Sequence, residues 1–133
     1  ENRKQYLKAI EDFMKHNVER NKKRDATLYG ASLYNLGNFY RSINRMRVAV
    51  KHYLRARRYE PKYNNQEYYF GELASALFHM EKYRYSAKYY SKGVSFAGNK
   101  RWQSLYADAL MYSGEYQQSL DVFNEYSLVE RQL

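Results

Sequence analysis

Cysteine is absent from these 133 residues, Pro61 is the only proline, and glycine occurs six times. Without thiols there is no disulfide framework, no thiolate nucleophile and no thiolate metal site. So little Pro and Gly leaves no material for a long flexible linker or a low-complexity segment. Histidine is scarce too. His16, His52 and His79 lie far apart, and no two are three or four residues from each other, so a His-based metal site is not expected. No apolar run approaches the roughly 18 residues of a membrane span, and no basic–apolar–small leader pattern opens the chain. A phosphate-cradling Gly loop, a His-Glu-x-x-His pair and an Asp-rich calcium loop are all missing. These absences speak against an enzyme and against a bound cofactor or metal. The lack of Cys leaves the compartment open, and a cytoplasmic location is the working expectation.

What the chain has is tyrosine and positive charge. Seventeen residues are Tyr against six Phe. A tyrosine ring packs in a core while its hydroxyl reaches a wet edge, so thin packing layers close to solvent are expected. The formal net charge is +9 and is uneven. Residues 1–62 carry 16 Lys and Arg against 6 Asp and Glu; residues 63–133 carry 7 against 8. The first part should therefore present an electropositive surface.

Apolar residues recur three and four apart along most of the chain, the helical period. Tyr6, Leu7, Ile10, Phe13 and Met14 predict a first helix over about residues 3–19, and the polar segment from Glu19 to Asp25 predicts its solvated end or a loop. Six further helices are centred on Leu36, Val50, Leu73, Ala87, Tyr106 and Leu120. Pro61, Gly98-Asn99 and Ser113-Gly114 punctuate them. The segment from Ser127 to Leu133 reads as a short tail. Gaps this short force consecutive helices to lie antiparallel and adjacent. No stretch alternates long enough to predict a sheet.

Compared in pairs, the helices repeat. Small residues Gly37, Ala74 and Ala107 recur in the first helix of each pair, and Ala49, Ser86 and Ser119 in the second. Both series are spaced by 37 and then 33 residues. Large residues follow the second series four positions on, at Tyr53, Tyr90 and Phe123. Small residues let two helix backbones approach, and a ring one turn later fills the groove between them. Residues 30–63 closely resemble a tetratricopeptide repeat, through Leu33, Leu36-Gly37, Tyr40, Ala49, Tyr53, Ala56 and Pro61. Leu33 stands where that family's pattern has Trp. Residues 64–99 and 100–133 resemble further units, with Gly93 and Tyr126 at the second small position. Residues 1–20 resemble the second helix of an earlier unit, with Ala9 and Phe13 in the matching roles. Thirty-four residues on from Gly37 lies Gly71 rather than Ala74, so the fourth helix is expected to be lengthened by about one turn.

The resemblance implies one all-α domain over 1–133, a right-handed superhelical stack of antiparallel helix pairs with about seven helices. It also implies a concave groove lined by the first helix of each pair, where another protein or a peptide binds. Carried onto this sequence, the groove residues are Tyr34, Asn35, Asn38 and Arg41, then Tyr68, Glu72 and Ser75, then Arg101, Asp108 and Tyr112. The bland alternative is that these are ordinary solvated side chains. One branch of the family clamps a chaperone's C-terminal carboxylate. Asn38 matches that pattern and Arg101 can replace a Lys, but Tyr34, Glu72 and Leu105 depart from it, and Glu72 would repel a carboxylate.

The second functional candidate is a basic stripe. Arg47, Lys51, Arg55 and Arg58 recur at helical spacing on the third helix, opposite its packed side, and are expected on the outer face. They can meet an acidic partner or a nucleic-acid backbone, or simply be solvated. Trp102 is expected to pack back on the preceding unit, and Met14, Met46, Met80 and Met111 to fill core gaps. Because repeats bury their faces only by stacking, the first helix should expose an apolar stripe. The chain is thus expected to be part of a longer array or to self-associate.

Overall fold

In the computed structural model, residues 2–96 and 100–132 are described, with side chains through residue 128. They form seven α-helices and one 3₁₀ turn, with no strand among the described residues. The helices are α1 (Asn2–Lys22), α2 (Ala26–Ser42), α3 (Met46–Tyr59), α4 (Glu67–His79), α5 (Tyr83–Val94), α6 (Gln103–Tyr112) and α7 (Tyr116–Gln132). The 3₁₀ turn, Pro61–Asn65, follows α3. The chain divides into two compact units, Glu1–Asn65 and Gln66–Leu133.

In the first unit α2 packs along both α3 and α1. Asp25 starts α2 by accepting bonds from the Thr27 and Leu28 amides at 2.8 and 3.2 Å. It satisfies two of the amides that every helix start leaves orphaned. The core holds Leu33, Leu36, Tyr40, Ala49, Tyr53 and Ala56. Gly37 sits at a close approach of α2 to α3. A Cβ there would lie 2.9 Å from the Tyr53 ring and 3.3 Å from the Ala49 carbonyl, so only glycine fits without displacement.

In the second unit α4 pairs with α5, α6 pairs with α7, and α5 also packs on α6. Ala74, Ala87, Tyr90, Trp102, Ala109 and Leu110 form one buried cluster. Trp102 packs back on the α4/α5 pair as expected. Its indole lies against Gly71 and Gly93, and its Nε1 donates to Glu67.

The repeat is visible in the backbone as well as the side chains. Asn44, Glu81 and Gly114 each take a left-handed conformation, with φ of 64°, 61° and 89°. After each, an amide reaches back to close the preceding helix. Arg45 N–H bonds Tyr40 O at 2.8 Å, Lys82 N–H bonds Leu77 O at 2.9 Å, and Glu115 N–H bonds Leu110 O at 2.9 Å. These are the six-to-one bonds of a Schellman ending. Like the small residues, they recur at spacings of 37 and 33.

Four expectations change. The fourth helix is not lengthened: α4 has 13 residues where α2 has 17. The three extra residues are taken up in the 3₁₀ turn, and Ala74, not Gly71, occupies the position of Gly37. The first helix runs on through Lys22, and only a tight turn precedes Asp25. Ser127 onward is not a separate tail, because α7 continues to Gln132. Met111 is 47% exposed and fills no core. The stop expected at Gly98-Asn99 lies outside the described residues.

Candidate functional site

On α2, Tyr34, Asn38 and Arg41 lie on one face at spacings of four and three residues, with Asn35 exposed beside them. Their organiser is Tyr53, a buried core residue of α3. Its hydroxyl donates to Asn38 Oδ1 at 2.6 Å and accepts from Arg41 Nε at 2.9 Å. The Tyr34 ring stacks on Tyr63 of the 3₁₀ turn, with centroids 5.0 Å apart, and leans on Tyr53 at 5.7 Å. Both side chains flanking this face are therefore held in fixed orientations. The bond to Tyr53 uses the Asn38 oxygen and leaves its amide nitrogen aimed elsewhere. An Asn amide beside a guanidinium can bond an extended backbone or a carboxylate.

In the second unit, Tyr68, Glu72 and Ser75 share one face of α4 and are all half-buried. Partial burial, with Glu72 and Glu67 adding to it, pushes the Tyr68 phenol above its ordinary value of 10.0. It therefore stays a neutral donor. Ser75 and Asp108 come together in a cleft of ≈ 330 Å³ with Phe78, Tyr83, Tyr90 and Leu105. Tyr112 stacks on Tyr83 at 5.0 Å and meets Phe78 edge-on at 5.4 Å. Arg101 is not brought to that cleft. Its guanidinium lies 4.5 Å over the Trp102 ring.

The basic stripe divides. Arg47, Lys51 and Arg58 are exposed, while Arg55 is half-buried and donates to the Tyr29 hydroxyl at 2.7 Å. Sequence reasoning missed a further polar cluster in the first unit. The Tyr40 hydroxyl donates to Glu11 Oε2 at 2.6 Å, and Lys15 Nζ and Arg45 approach the same oxygen at 3.2 and 3.9 Å. The Tyr40 bond holds the Glu11 carboxyl below its usual value. Burial, then that bond, pushes the Tyr40 phenol up to about 12. Tyrosine rather than phenylalanine at positions 40 and 53 was the signal available: each hydroxyl needs a partner at the edge of the core.

Among the described residues no cluster of His, Asp and Glu could hold a metal ion, and no helix is long and apolar enough to cross a membrane. No family model matches the chain. No curated protein matches it either. Solved structures do. Two crystal structures from Podosopora anserina, described as kinesin light chain nearly identical TPR-like repeats, align with TM-scores of 0.80 and 0.78 at 14% and 13% identity. Both alignments cover 98% of this chain, and 69% and 70% of the other. Identity at that level speaks to fold alone. Three helix pairs, each with a small-residue junction and a left-handed turn at matched positions, agree with it. The chain has the all-helical fold of tetratricopeptide-like repeats.

Proposed function

We propose that this chain is a non-catalytic scaffold or adaptor. It holds a peptide or protein segment against its first helices, α2, α4 and α6. The observation that carries this reading is the fixed face of α2, where one core hydroxyl orients both Asn38 and Arg41. Polar groups held in place before binding lose little freedom when a ligand arrives. Tyrosines such as Tyr34, Tyr68 and Tyr112 add contact area at small entropic cost. Fold alone does not choose a ligand, so the reading rests on these side chains and on the protein-binding use common to this fold.

In this reading residues 1–133 act as one repeat domain in the cytoplasm, with repeats at 30–63, 64–99 and 100–133 and an added helix before them. Its faces at α1 and α7 seek further cover. Tyr6 and Phe13 are 69% and 65% exposed, and Tyr116 and Phe123 are 71% and 52% exposed. Tyr53 and Tyr90 hold the same repeat position as Phe13 and Phe123, yet are 0% and 2% exposed. Another copy of the chain or a continuing array would bury those rings.

The second reading is a nucleic-acid module using Arg47, Lys51 and Arg58. It is supported by the concentration of positive charge in the first unit and weakened by the engagement of Arg55 with Tyr29. Affinity capture from nuclease-treated lysate separates the two. Wild type is compared with Asn38→Ala/Tyr112→Ala and with Arg47→Glu/Lys51→Glu/Arg58→Glu. The scaffold reading expects a protein partner that survives nuclease and is lost only with the first variant. Loss on nuclease treatment, or loss only with the charge-reversed stripe, contradicts it.

A further inference from the structure

A second groove lies over α2 in the first unit, between α1 and α3. It consists of two clefts, of ≈ 780 and ≈ 500 Å³, that share Glu11 and Arg45. The floor of the larger is apolar, made by Leu7, Phe39 and Ile43. In the smaller, Val18, Leu36 and Val48 continue it. The rims are basic on both sides. Lys4, Lys8 and Lys15 line it from α1; Arg45 and Arg55 line it from the start and the body of α3. His52 of α3 is half-buried there, and burial lowers its pKa, which leaves it neutral.

Five cations thus face two carboxylates, Glu11 and Glu19. Glu11 stays ionised, its carboxyl held below its usual value, and Lys15 at 3.2 Å and Arg45 at 3.9 Å from its Oε2 offset its charge. Lys8 pairs with Asp12 at 3.1 Å on an exposed turn of α1, where such a pair contributes little and exchanges readily. The whole unit adds to the field, since its Lys and Arg outnumber its Asp and Glu by 16 to 6.

We propose that this groove binds an acidic peptide segment that carries apolar side chains. The segment's aliphatic or aromatic groups sit on Leu7, Phe39 and Ile43, and its Asp or Glu residues meet Lys4, Lys8 and Arg45. Charge selects the segment and speeds its arrival, and burial of its apolar groups supplies most of the affinity. A nucleic acid fits less well. A phosphate backbone has nothing to place on an aliphatic floor, and base stacking needs an exposed ring face, whereas Phe39 is only 9% exposed. This site shares no residue with the α2, α4 and α6 faces, so either proposal can fail without the other.

The test uses the full chain and a short fluorescent peptide with Leu and Phe interleaved among Asp and Glu, read by anisotropy at fixed salt. Lys4→Glu/Lys8→Glu changes two exposed side chains, and its circular dichroism and melting curve should match wild type. That variant should weaken binding by at least about tenfold. Replacing Asp and Glu in the peptide by Asn and Gln, or Leu and Phe by Ser, should weaken it comparably. Arg84→Glu/Lys88→Glu, exposed in the second unit, and Asn38→Ala should leave it unchanged. A photo-crosslinker on the peptide should mark residues 4–11. Equal binding of the uncharged peptide, equal loss with Arg84→Glu/Lys88→Glu, displacement of the peptide by a single-stranded oligonucleotide, or crosslinks confined to α4–α7 would each overturn the proposal.

Discussion

At one close approach of α2 and α3, Gly37 lies under the Tyr53 ring beside the Ala49 carbonyl. At the equivalent point of α4 and α5, Ala74 meets Ser86, whose Oγ donates to the Ala74 carbonyl at 2.8 Å. The α6/α7 pair repeats the second arrangement, with Ser119 Oγ donating to Ala107 O at 2.6 Å. The first unit thus closes the junction by removing a Cβ and laying a ring in its place. The second unit keeps the Cβ and ties the backbones with a hydroxyl. The consequence reaches the surface. In the first unit the ring over Gly37 carries the hydroxyl that holds Asn38 and Arg41, so core packing and the candidate binding face are one structure. In the second unit Tyr90 lies near Trp102, 6.2 Å between centroids, and Tyr83 and Phe78 support Tyr112 instead.

The largest effect should come where glycine is sterically required. A Cβ at Gly71 would fall within the Trp102 indole, which is buried and bonded to Glu67. Gly71→Leu should cost about 3 kcal/mol or more, and Gly37→Leu about 1–3 kcal/mol, in urea unfolding. If Gly37→Leu leaves the unfolding midpoint unchanged, the ring-over-glycine account of the first unit is wrong. Serine junctions should be milder. Ser86→Ala removes one bond and adds no bulk, so a loss of about 1 kcal/mol is expected, with Ser119→Ala close to it.

The smallest effect sharpens the comparison at the turns. Glu81 holds a left-handed φ of 61°, a region that Gly114 occupies at 89° at no steric cost. Glu81→Gly should therefore stabilise the chain by roughly 0.5–1 kcal/mol, and Gly114→Ala should destabilise it by about 1 kcal/mol. Thermal unfolding of the two variants side by side decides this. Opposite signs support the equivalence of the turns, and a shared sign breaks it.

Much of the fold was legible in sequence because the constraint behind it is local. Close approach of two helices demands a small residue, and the matching spacing of Gly37, Ala74 and Ala107 with Ala49, Ser86 and Ser119 survives any uncertainty about helix ends. The register of α4 was less legible. Three extra residues nearly preserve a helix face, so periodicity cannot say whether they extend the helix or form a 3₁₀ turn after Pro61. Exposure of Met111, and of Phe123 at the position where Tyr53 and Tyr90 are buried, follows from what does or does not stack against a helix, and a helix's own pattern does not carry that. At the candidate site the helical spacing placed Tyr34, Asn38 and Arg41 on one face. It did not reveal Tyr53 as the residue joining them, because that bond crosses 15 positions of the chain. Nor did it separate Arg101 from Ser75 and Asp108, where the adjacent Trp102 ring lies under the guanidinium, or Arg55 from the rest of the basic stripe, where the partner Tyr29 sits on another helix.

The claim that the first helices form the binding face is tested most directly by amide hydrogen exchange of the full chain, alone and with its captured protein partner. Binding at that face predicts added protection along α2 from Tyr34 to Arg41 and on α4 and α6. Tyr53→Phe should weaken the protection in α2, because Asn38 and Arg41 lose their common partner. Protection confined to the exposed residues of α3 around Arg47, Lys51 and Arg58, with α2, α4 and α6 exchanging as in the free chain, would contradict it.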